Sequence, residues 1–176
     1  MIFQGQDDSI FDQQGYRYNV GIVLLNNSNQ VFWAKRLKQD AWQFPQGGMK
    51  AGEDIFDCLF RELFEEVGLN NEQVEVLAQT KKWLSYKLPM RYRRRKKTSF
   101  IQCVGQKQRW FLLRLKATDN EINLSATAHP EFDDWQWIDY WRPAQEVVHF
   151  KREVYQAALK EFEPLIFKEE KLVSNS

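Results

Sequence analysis

The chain has 176 residues, of which 43% are hydrophobic and 28% are charged, and its formal net charge at pH 7 is +1. These values are ordinary for a globular protein, and the near-neutral charge excludes a uniformly basic coat for nucleic acid. No uninterrupted apolar run is longer than that of residues 22–25, whereas a membrane span needs about 20 apolar residues. The composition therefore predicts no membrane partner.

The length favours one domain spanning residues 1–176. Its folded core is expected at about residues 15–162, with flexible segments at 1–14 and 167–176. The polar, acidic start lacks the basic and apolar layout of a secretory signal. Two cysteines, Cys58 and Cys103, give no disulfide framework and no metal-binding pattern. A cytoplasmic location is therefore expected.

Apolar periodicity and turn-forming residues predict a mixture of strands and helices. Residues 1–15 show no regular pattern, and residues 26–29 are typical of a turn between two strands. The predicted strands are residues 20–25, 30–36, 42–44, 74–80, 83–88, 109–115 and 132–138. The predicted helices are residues 54–67, 143–150 and 151–162, the last ending before Pro164. Strands on both sides of one helix indicate an α/β (α+β) fold.

The helix at 54–67 places three carboxylates together. At about 100° per residue, Glu62, Glu65 and Glu66 share an arc of about 100°. The neighbouring stripe, expected to pack in the core, contains Phe56, Leu59, Phe60, Leu63, Phe64 and Val67. Carboxylates at these spacings repel one another, and a hard cation such as Mg²⁺ would neutralise them. From the helix alone, a solvated acidic face is the alternative.

The preceding loop, residues 47–53, reads GGMKAGE. Glycines allow a backbone to approach a ligand closely, and their carbonyl oxygens can join a coordination shell. Glu53 lies eight positions before Arg61, so a bidentate pair between them would fix the loop to the helix.

Together these residues resemble the Nudix box, GX5EX7REUXEEXGU, in which U is aliphatic. Gly47, Glu53, Arg61-Glu62-Leu63, Glu65-Glu66 and Gly68-Leu69 match every defined position. The resemblance implies the Nudix fold, a mixed β-sheet sandwiched between helices. It also implies hydrolysis of a phosphoanhydride bond in a nucleoside diphosphate linked to another group.

Further segments resemble the bacterial RNA pyrophosphohydrolases of this family, also described as dinucleoside polyphosphate hydrolases. These segments are GYRYNVGIVLLN, WQFPQGG, YKLP, GQKQRWFLL, PEFDDWQW and FKREVY. The chain departs from the family at Ala51 and Tyr18, where proline is frequent, and in its longer acidic N-terminal lead. None of these departures removes a carboxylate of the box.

The resemblance implies a metal-dependent enzyme that converts a 5′-triphosphate or diphosphate RNA end to a 5′-monophosphate, which initiates mRNA decay. Pyrophosphate or phosphate would leave. The cofactor would be two or three Mg²⁺ ions, or Mn²⁺. The implied catalytic residues are Glu53, Arg61, Glu62, Glu65, Glu66 and Glu131. The implied metal ligands are Gly47, Glu62, Glu65, Glu66 and Glu131.

The resemblance also implies that the substrate contacts Arg17, Arg36, Tyr86, Val148, Phe150 and Lys151. Arg17 would grip two phosphate oxygens, and Phe150 would stack on a base. Judged without the resemblance, Arg17 is a strand-edge charge, Glu131 is a surface residue, and Phe150 and Tyr86 are core residues.

Two other functions stay open at this point. A diadenosine polyphosphate hydrolase would cut the same bond with the same metals. A non-catalytic RNA-binding Nudix module is the alternative of another class, although such modules typically lack box glutamates. The basic run at residues 91–97, RYRRRKK, favours a polymeric anion over a dinucleotide as the substrate, and a solvated loop is its alternative. No sequence feature identifies a protein activator.

Overall fold

The computed structural model describes residues 1–5, 8–93 and 102–167. In these ranges the strands are β1 (Phe3–Gln4), β2 (Ile10–Phe11), β3 (Tyr16–Leu25), β4 (Val31–Arg36), β5 (Trp42–Gln43), β6 (Gln46–Gly48), β7 (Val74–Gln79), β8 (Leu84–Lys87), β9 (Gly105–Leu115) and β10 (Phe132–Ile138). The α-helices are α1 (Ile55–Val67), α2 (Arg142–Glu146) and α3 (Arg152–Ile166). Short 3₁₀ turns occur at Asn71–Gln73, Met90–Tyr92, Asp119–Glu121 and His149–Lys151.

The sheet is built around β3 and β9, which pair in parallel from Tyr16↔Gly105 to Leu25↔Arg114. β7 and β8 pair antiparallel with β9. The other edge of β3 is shared, since β2 pairs at Arg17, β6 pairs along residues 19–21, and β4 pairs at Leu25. β10 pairs with β4 and completes the sheet on that side. The sheet is therefore mixed and divides beside β3, where the Gly47-Gly48 pair enters it.

Alternating residues of β3 and β9 build two cores, one on each face of the sheet. One face packs against α3 with Val23, Leu25, Trp110 and Leu112. The other packs against α1 with Val20, Ile22, Leu24, Phe111 and Leu113. Each fully buried side chain of this kind contributes about 1.5–3 kcal/mol. The predicted arrangement, a mixed sheet between helices, is confirmed.

The helix α1 has the predicted bounds because its ends are specified locally. Asp54 accepts hydrogen bonds from the amides of Phe56 and Asp57 at 2.7 and 2.9 Å. Gly68 adopts a left-handed φ of 76°, and a Cβ there would lie 2.4 Å from the carbonyl oxygen of Asn123. Both features are typical helix caps.

The predicted core face of α1 is partly wrong. Phe56 and Phe64 are 42% and 46% exposed, whereas Glu62 and Glu66 are only 6% and 1% exposed. The helix packs across β6 as well as β3, and Gly47 of β6 leaves room for the Glu62 carboxylate. This contact turns the acidic arc towards the sheet and moves Phe64 outwards.

Two further expectations are corrected. The segment before residue 16 contains β1 and β2, and Phe11 is buried, so its described part has regular structure. The helix α3 continues through Pro164 to Ile166 instead of ending before the proline. Its last turn is supported by packing, since Phe167 contacts Tyr140 with ring centroids 5.3 Å apart. Tertiary packing therefore outweighs the hydrogen bond that proline cannot donate.

The predicted helix at 143–150 is divided into α2 and the 3₁₀ turn His149–Lys151. None of the helices in the described ranges has the length and apolar character needed to cross a bilayer. The last residues of the predicted basic run and of the C-terminal tail, 94–97 and 168–176, lie outside the described residues.

Candidate active site

Arg61 of α1 joins the box loop to the carboxylates of the helix. Its Nε and Nη2 donate to the two oxygens of Glu53 at 2.6 and 2.9 Å, which is the predicted bidentate pair. Its Nη1 donates to Glu62 Oε1 at 2.6 Å and to Glu65 Oε2 at 3.3 Å. Nη2 also reaches the carbonyl oxygen of Gly48 at 3.0 Å. One guanidinium therefore holds the loop, the strand β6 and the acidic arc in fixed relation.

The two glycines of β6 are required by close contacts. A Cβ on Gly47 would lie 1.8 Å from the carboxylate carbon of Glu62. A Cβ on Gly48 would lie 2.4 Å from the guanidinium carbon of Arg17. The Glu62 carboxylate and the Arg17 guanidinium thus lie on either side of β6, and little more than the strand backbone separates them.

Glu66 is the most deeply buried carboxylate of the site. Its Oε2 accepts a hydrogen bond from the backbone amide of Gln46 at 2.9 Å. Its Oε1 has no hydrogen-bond partner among the described residues. Burial, the neighbouring Glu131 carboxyl and the charge of Glu62 raise the pKa of Glu66 well above its usual value. The site therefore concentrates negative charge that the protein itself compensates only in part.

Glu62 and Glu65 differ in their surroundings. Burial raises the pKa of Glu62, although its hydrogen bond and attraction to Arg61 oppose the shift. The side chain of Glu65 is 40% exposed, so it is accessible to solvent. Glu131 is exposed just before β10 and lies beside Glu66. The four predicted carboxylates are therefore brought to one place, from α1 and from the loop before β10.

The donor chemistry of this place fits a hard divalent cation. Its donors are carboxylate oxygens, one of them buried and unpaired, next to the backbone of Gly47. In the described residues, however, no three acidic, histidine or cysteine side chains are already arranged as a cation site. Arg61 occupies Glu62, so a cation that binds Glu62 must compete with this guanidinium.

Arg17 lies on the α3 side of the sheet, one strand away from the acidic arc. Its partner in the β3–β9 register is Gln106, whose partner in β8 is Tyr86, so these three residues form one row across the sheet. The Nε of Arg17 is buried and has no hydrogen-bond partner in the described part of the chain. An anionic group is the complement of such a donor.

Lys151 connects this row to the carboxylates. It is 6% exposed, and its Nζ donates to the side-chain oxygens of Gln43 and Gln46 at 3.1 and 3.4 Å. Burial and the nearby Arg36 charge lower the pKa of Lys151 to about 8, and Glu66 opposes the shift. Arg36, Lys151 and Glu66 therefore share one electrostatic environment.

Three aromatic rings lie together near Lys151, whose Nζ is 5.8 Å from the centroid of the Tyr86 ring. The Phe150 ring is 5.9 Å from that of Tyr86 and 5.6 Å from that of Tyr92. Tyr86 is buried, which raises its pKa to about 12, whereas Phe150 is half-buried and Val148 is 39% exposed. Tyr86 is therefore packed in the core, and Phe150, which packs against it, is only partly covered.

Sequence reasoning missed the polar residues that link these groups. Gln46 holds Glu66 through its amide and Lys151 through its side chain, and it also accepts from Gln108 at 3.3 Å. Gln108 is fully buried and donates to Asn19 at 2.8 Å. Polar residues at inward positions of β3 and β9 are the signal that indicates such a network.

Comparison with known proteins identifies the family of this chain. A profile of the NUDIX domain matches residues 15–158. The chain belongs to the NUDIX family. Members of this family generally depend on divalent metal ions. The predicted family and fold of this NUDIX protein, and with them its assignment as a hydrolase, are confirmed.

Among curated relatives of this NUDIX protein is an RNA pyrophosphohydrolase of Pseudoalteromonas translucida, 55% identical over 88% of this chain and 89% of the relative. Another, from Shewanella piezotolerans, is 53% identical over 88% of each chain.

Solved structures share the fold of this NUDIX protein at low sequence identity. A C. elegans Ap4A hydrolase is 17% identical with a TM-score of 0.62, covering 85% of this chain and 96% of that one. The E. coli dihydroneopterin triphosphate pyrophosphohydrolase is 19% identical with a TM-score of 0.63, covering 82% and 95%. These likenesses concern the fold alone.

Proposed function

We propose that this chain hydrolyses the 5′-triphosphate or diphosphate end of RNA to a 5′-monophosphate, and so initiates mRNA decay in the bacterial cytoplasm. The observation that supports this best is a connected series of contacts. Gln46 binds the buried carboxylate of Glu66 through its amide and Lys151 through its side chain. Lys151 lies over the ring of Tyr86, which contacts the ring of Phe150. The identity of 55% to an enzyme named RNA pyrophosphohydrolase agrees with this substrate.

Mg²⁺ is the proposed cofactor, with Mn²⁺ as a substitute, because both prefer oxygen ligands. The proposed ligands are Glu62, Glu65, Glu66, Glu131 and the carbonyl oxygen of Gly47. When bound, the metal supplies charge neutralisation of the phosphates and a more acidic water.

The remaining residues of the chain position these groups. The pair of Glu53 with Arg61 holds the loop against α1, and Gln46 orients Glu66 through its amide. The polyphosphate is bound by three basic side chains, those of Arg17, Arg36 and Lys151. Phe150 stacks on a nucleobase, beside Val148, while Tyr86 supports its ring.

A diadenosine polyphosphate presents the same phosphates and a base, so it is the alternative substrate. The decisive experiment measures kcat/KM on 5′-triphosphorylated RNA, 5′-diphosphorylated RNA and diadenosine pentaphosphate in one Mg²⁺ buffer. We expect a clear preference for one of the RNA substrates. A higher kcat/KM on diadenosine pentaphosphate would make the dinucleotide the substrate, and no hydrolysis of any of them would indicate a binding module.

A further inference from the structure

A short N-terminal segment lies outside the NUDIX match, which begins at residue 15. Its strands β1 and β2 pair through Phe3↔Phe11 and Gln4↔Ile10, and Phe11 pairs with Arg17 of β3. Phe11 is 8% exposed and Ile10 packs against the core beneath α1. The segment is therefore attached to the body of the protein at its C-terminal end.

Its contact with the box loop is made by the backbone. Ser9 forms an antiparallel bridge with Lys50, and the amide of Ala51 donates to the carbonyl oxygen of Asp8 at 2.8 Å. Asp8 has a left-handed φ of 61°, a conformation that aspartate adopts more readily than most residues. We call residues 8–11 the N-terminal strap.

Hydrogen bonds connect the loop that the strap touches to the proposed metal site. The amide of Lys50 donates to Glu53 Oε2 at 3.0 Å, and that oxygen also accepts from Arg61 at 2.9 Å. Arg61 in turn binds the carbonyl oxygen of Gly48. An unbroken series of hydrogen bonds and peptide units therefore leads from Asp8 to the backbone beside Gly47.

The donor of this contact depends on the residue at position 51. Alanine has an amide hydrogen, which donates to Asp8, whereas proline has none and could not form this bond.

We propose that the N-terminal strap is a positioning element that holds the loop at residues 47–53 in its metal-binding shape. This role of the strap rests on the proposed function only because the proposed function assigns that loop to a metal site. In the absence of the strap, the loop opens more often and binds a divalent cation more weakly.

The test compares Ala51→Pro with Ala51→Ser. In the turn at residues 50–53, the amide of Glu53 donates to the carbonyl oxygen of Lys50 and Gly52 has a φ of 78°. Proline is common at the second position of such a turn. At Ala51, which is exposed, proline therefore fits locally and removes the amide donor, whereas serine retains it. Amide hydrogen exchange of residues 47–53 is measured in metal-free protein. We expect exchange in the proline variant to be about two- to tenfold faster than in the serine variant, as expected for one lost backbone hydrogen bond.

Deletion of residues 1–9 provides an independent variant, because it leaves Phe11 in place. The deletion should increase the amide exchange rate of residues 47–53 by the same factor, and adding Ala51→Pro to the deletion should increase it no further. Calorimetry should show that Mn²⁺ binding without substrate is weaker by a similar factor in the proline variant and in the deletion variant. Equal exchange in the proline and serine variants would overturn the proposal, as would faster exchange with unchanged Mn²⁺ affinity. None of these measurements depends on RNA hydrolysis.

Discussion

At the level of single residues, Glu66 combines deep burial with excess negative charge. The variant Glu66→Gln keeps the shape of the side chain but removes a charge that burial and Glu131 both disfavour. The metal-free variant should therefore be at least as stable as the wild type. Hydrolysis should fall by at least about 100-fold, because even residues outside the ligand set of a metal cost about 10–100-fold.

Turnover at saturating Mg²⁺ and urea unfolding in a chelator check the two parts of this prediction. Glu72→Gln, an exposed carboxylate in a 3₁₀ turn, is the matched control and should leave both unchanged. Near-normal turnover of Glu66→Gln at limiting Mg²⁺ would contradict the metal assignment.

Phe150 has two roles that a pair of substitutions separates. Phe150→Leu keeps most of the apolar packing against Tyr86 and Tyr92 but removes the aromatic face, and Phe150→Ala removes both. Both variants should lose about 1–3 kcal/mol of stacking free energy. The KM for RNA should rise accordingly, with little change in kcat. Only the alanine variant should lower the melting temperature appreciably. A leucine variant with wild-type KM would show that Phe150 only packs.

At the level of elements, Asp12 fixes the turn between β2 and β3. Its carboxylate accepts from the amides of Gln14 and Tyr16 at 2.9 and 3.0 Å and from Lys107 at 3.1 Å. Burial alone would raise the pKa of Asp12, but these hydrogen bonds and the Lys107 charge outweigh it and lower the pKa below its usual 3.8.

This shift predicts a pH-dependent stability. The unfolded chain protonates Asp12 more readily than the folded chain, so the stabilisation is complete above pH 3.8 and is lost as the pH falls through the lowered pKa. Asp12→Asn should lower the free energy of unfolding at pH 7 by about 1–2 kcal/mol. Urea unfolding across the acid range should show this difference shrinking, and the exposed Asp40→Asn should show none.

The bounds of α1 were predictable because Asp54 and Gly68 cap it through contacts within a few residues. The side of α1 that faces the sheet was not, because it depends on Gly47 leaving space for Glu62. The end of α3 illustrates the same limit, since Pro164 is a local stop signal that the contact of Phe167 with Tyr140 overrides.

In the site, too, local contacts could be predicted from the sequence and contacts between distant elements could not. The bond of Glu53 with Arg61 could be predicted from the sequence because both residues belong to one motif. The role of Gln46 could not, because Glu66, Lys151 and Gln108 reach it from three different elements. Hydrogen bonds between elements depend on packing that a linear pattern does not specify.

At the level of the whole molecule, the basic run begins beside the aromatic rings of Tyr92 and Phe150. Arg91 lies over the ring of Tyr92, which contacts Phe150. The Nε of Arg93 is already bonded to the carbonyl oxygen of Leu88 at 2.8 Å. The cations that follow Arg93 in sequence are therefore the better test of contact with the body of an RNA.

We predict that changing Arg94, Arg95 and Lys96 together to glutamine weakens binding to long RNA. Each lost phosphate contact should make the slope of log K against log salt shallower by about 0.7, so three contacts give about 2. Turnover of diadenosine pentaphosphate should not change, because a dinucleotide has no polymer backbone beyond its reacting phosphates.

The control for the basic run substitutes three exposed cations elsewhere, Lys38, Lys116 and Lys160. Salt titrations of RNA binding then separate a local contact from a general effect of net charge. Equal slopes for wild type and the 94–96 variant would show that the run does not touch RNA.

The parallel pairing of β3 with β9 also governs when this protein acquires its shape. Tyr16 and Gly105 are partners 89 positions apart, and contacts of such long range form late. On the ribosome, α1 is complete before β9 has been synthesised, and the core beneath α1 includes Phe111 and Leu113 of β9. We therefore expect the burial of α1, and with it the full desolvation of Glu62 and Glu66, to be completed only after β9 has paired with β3.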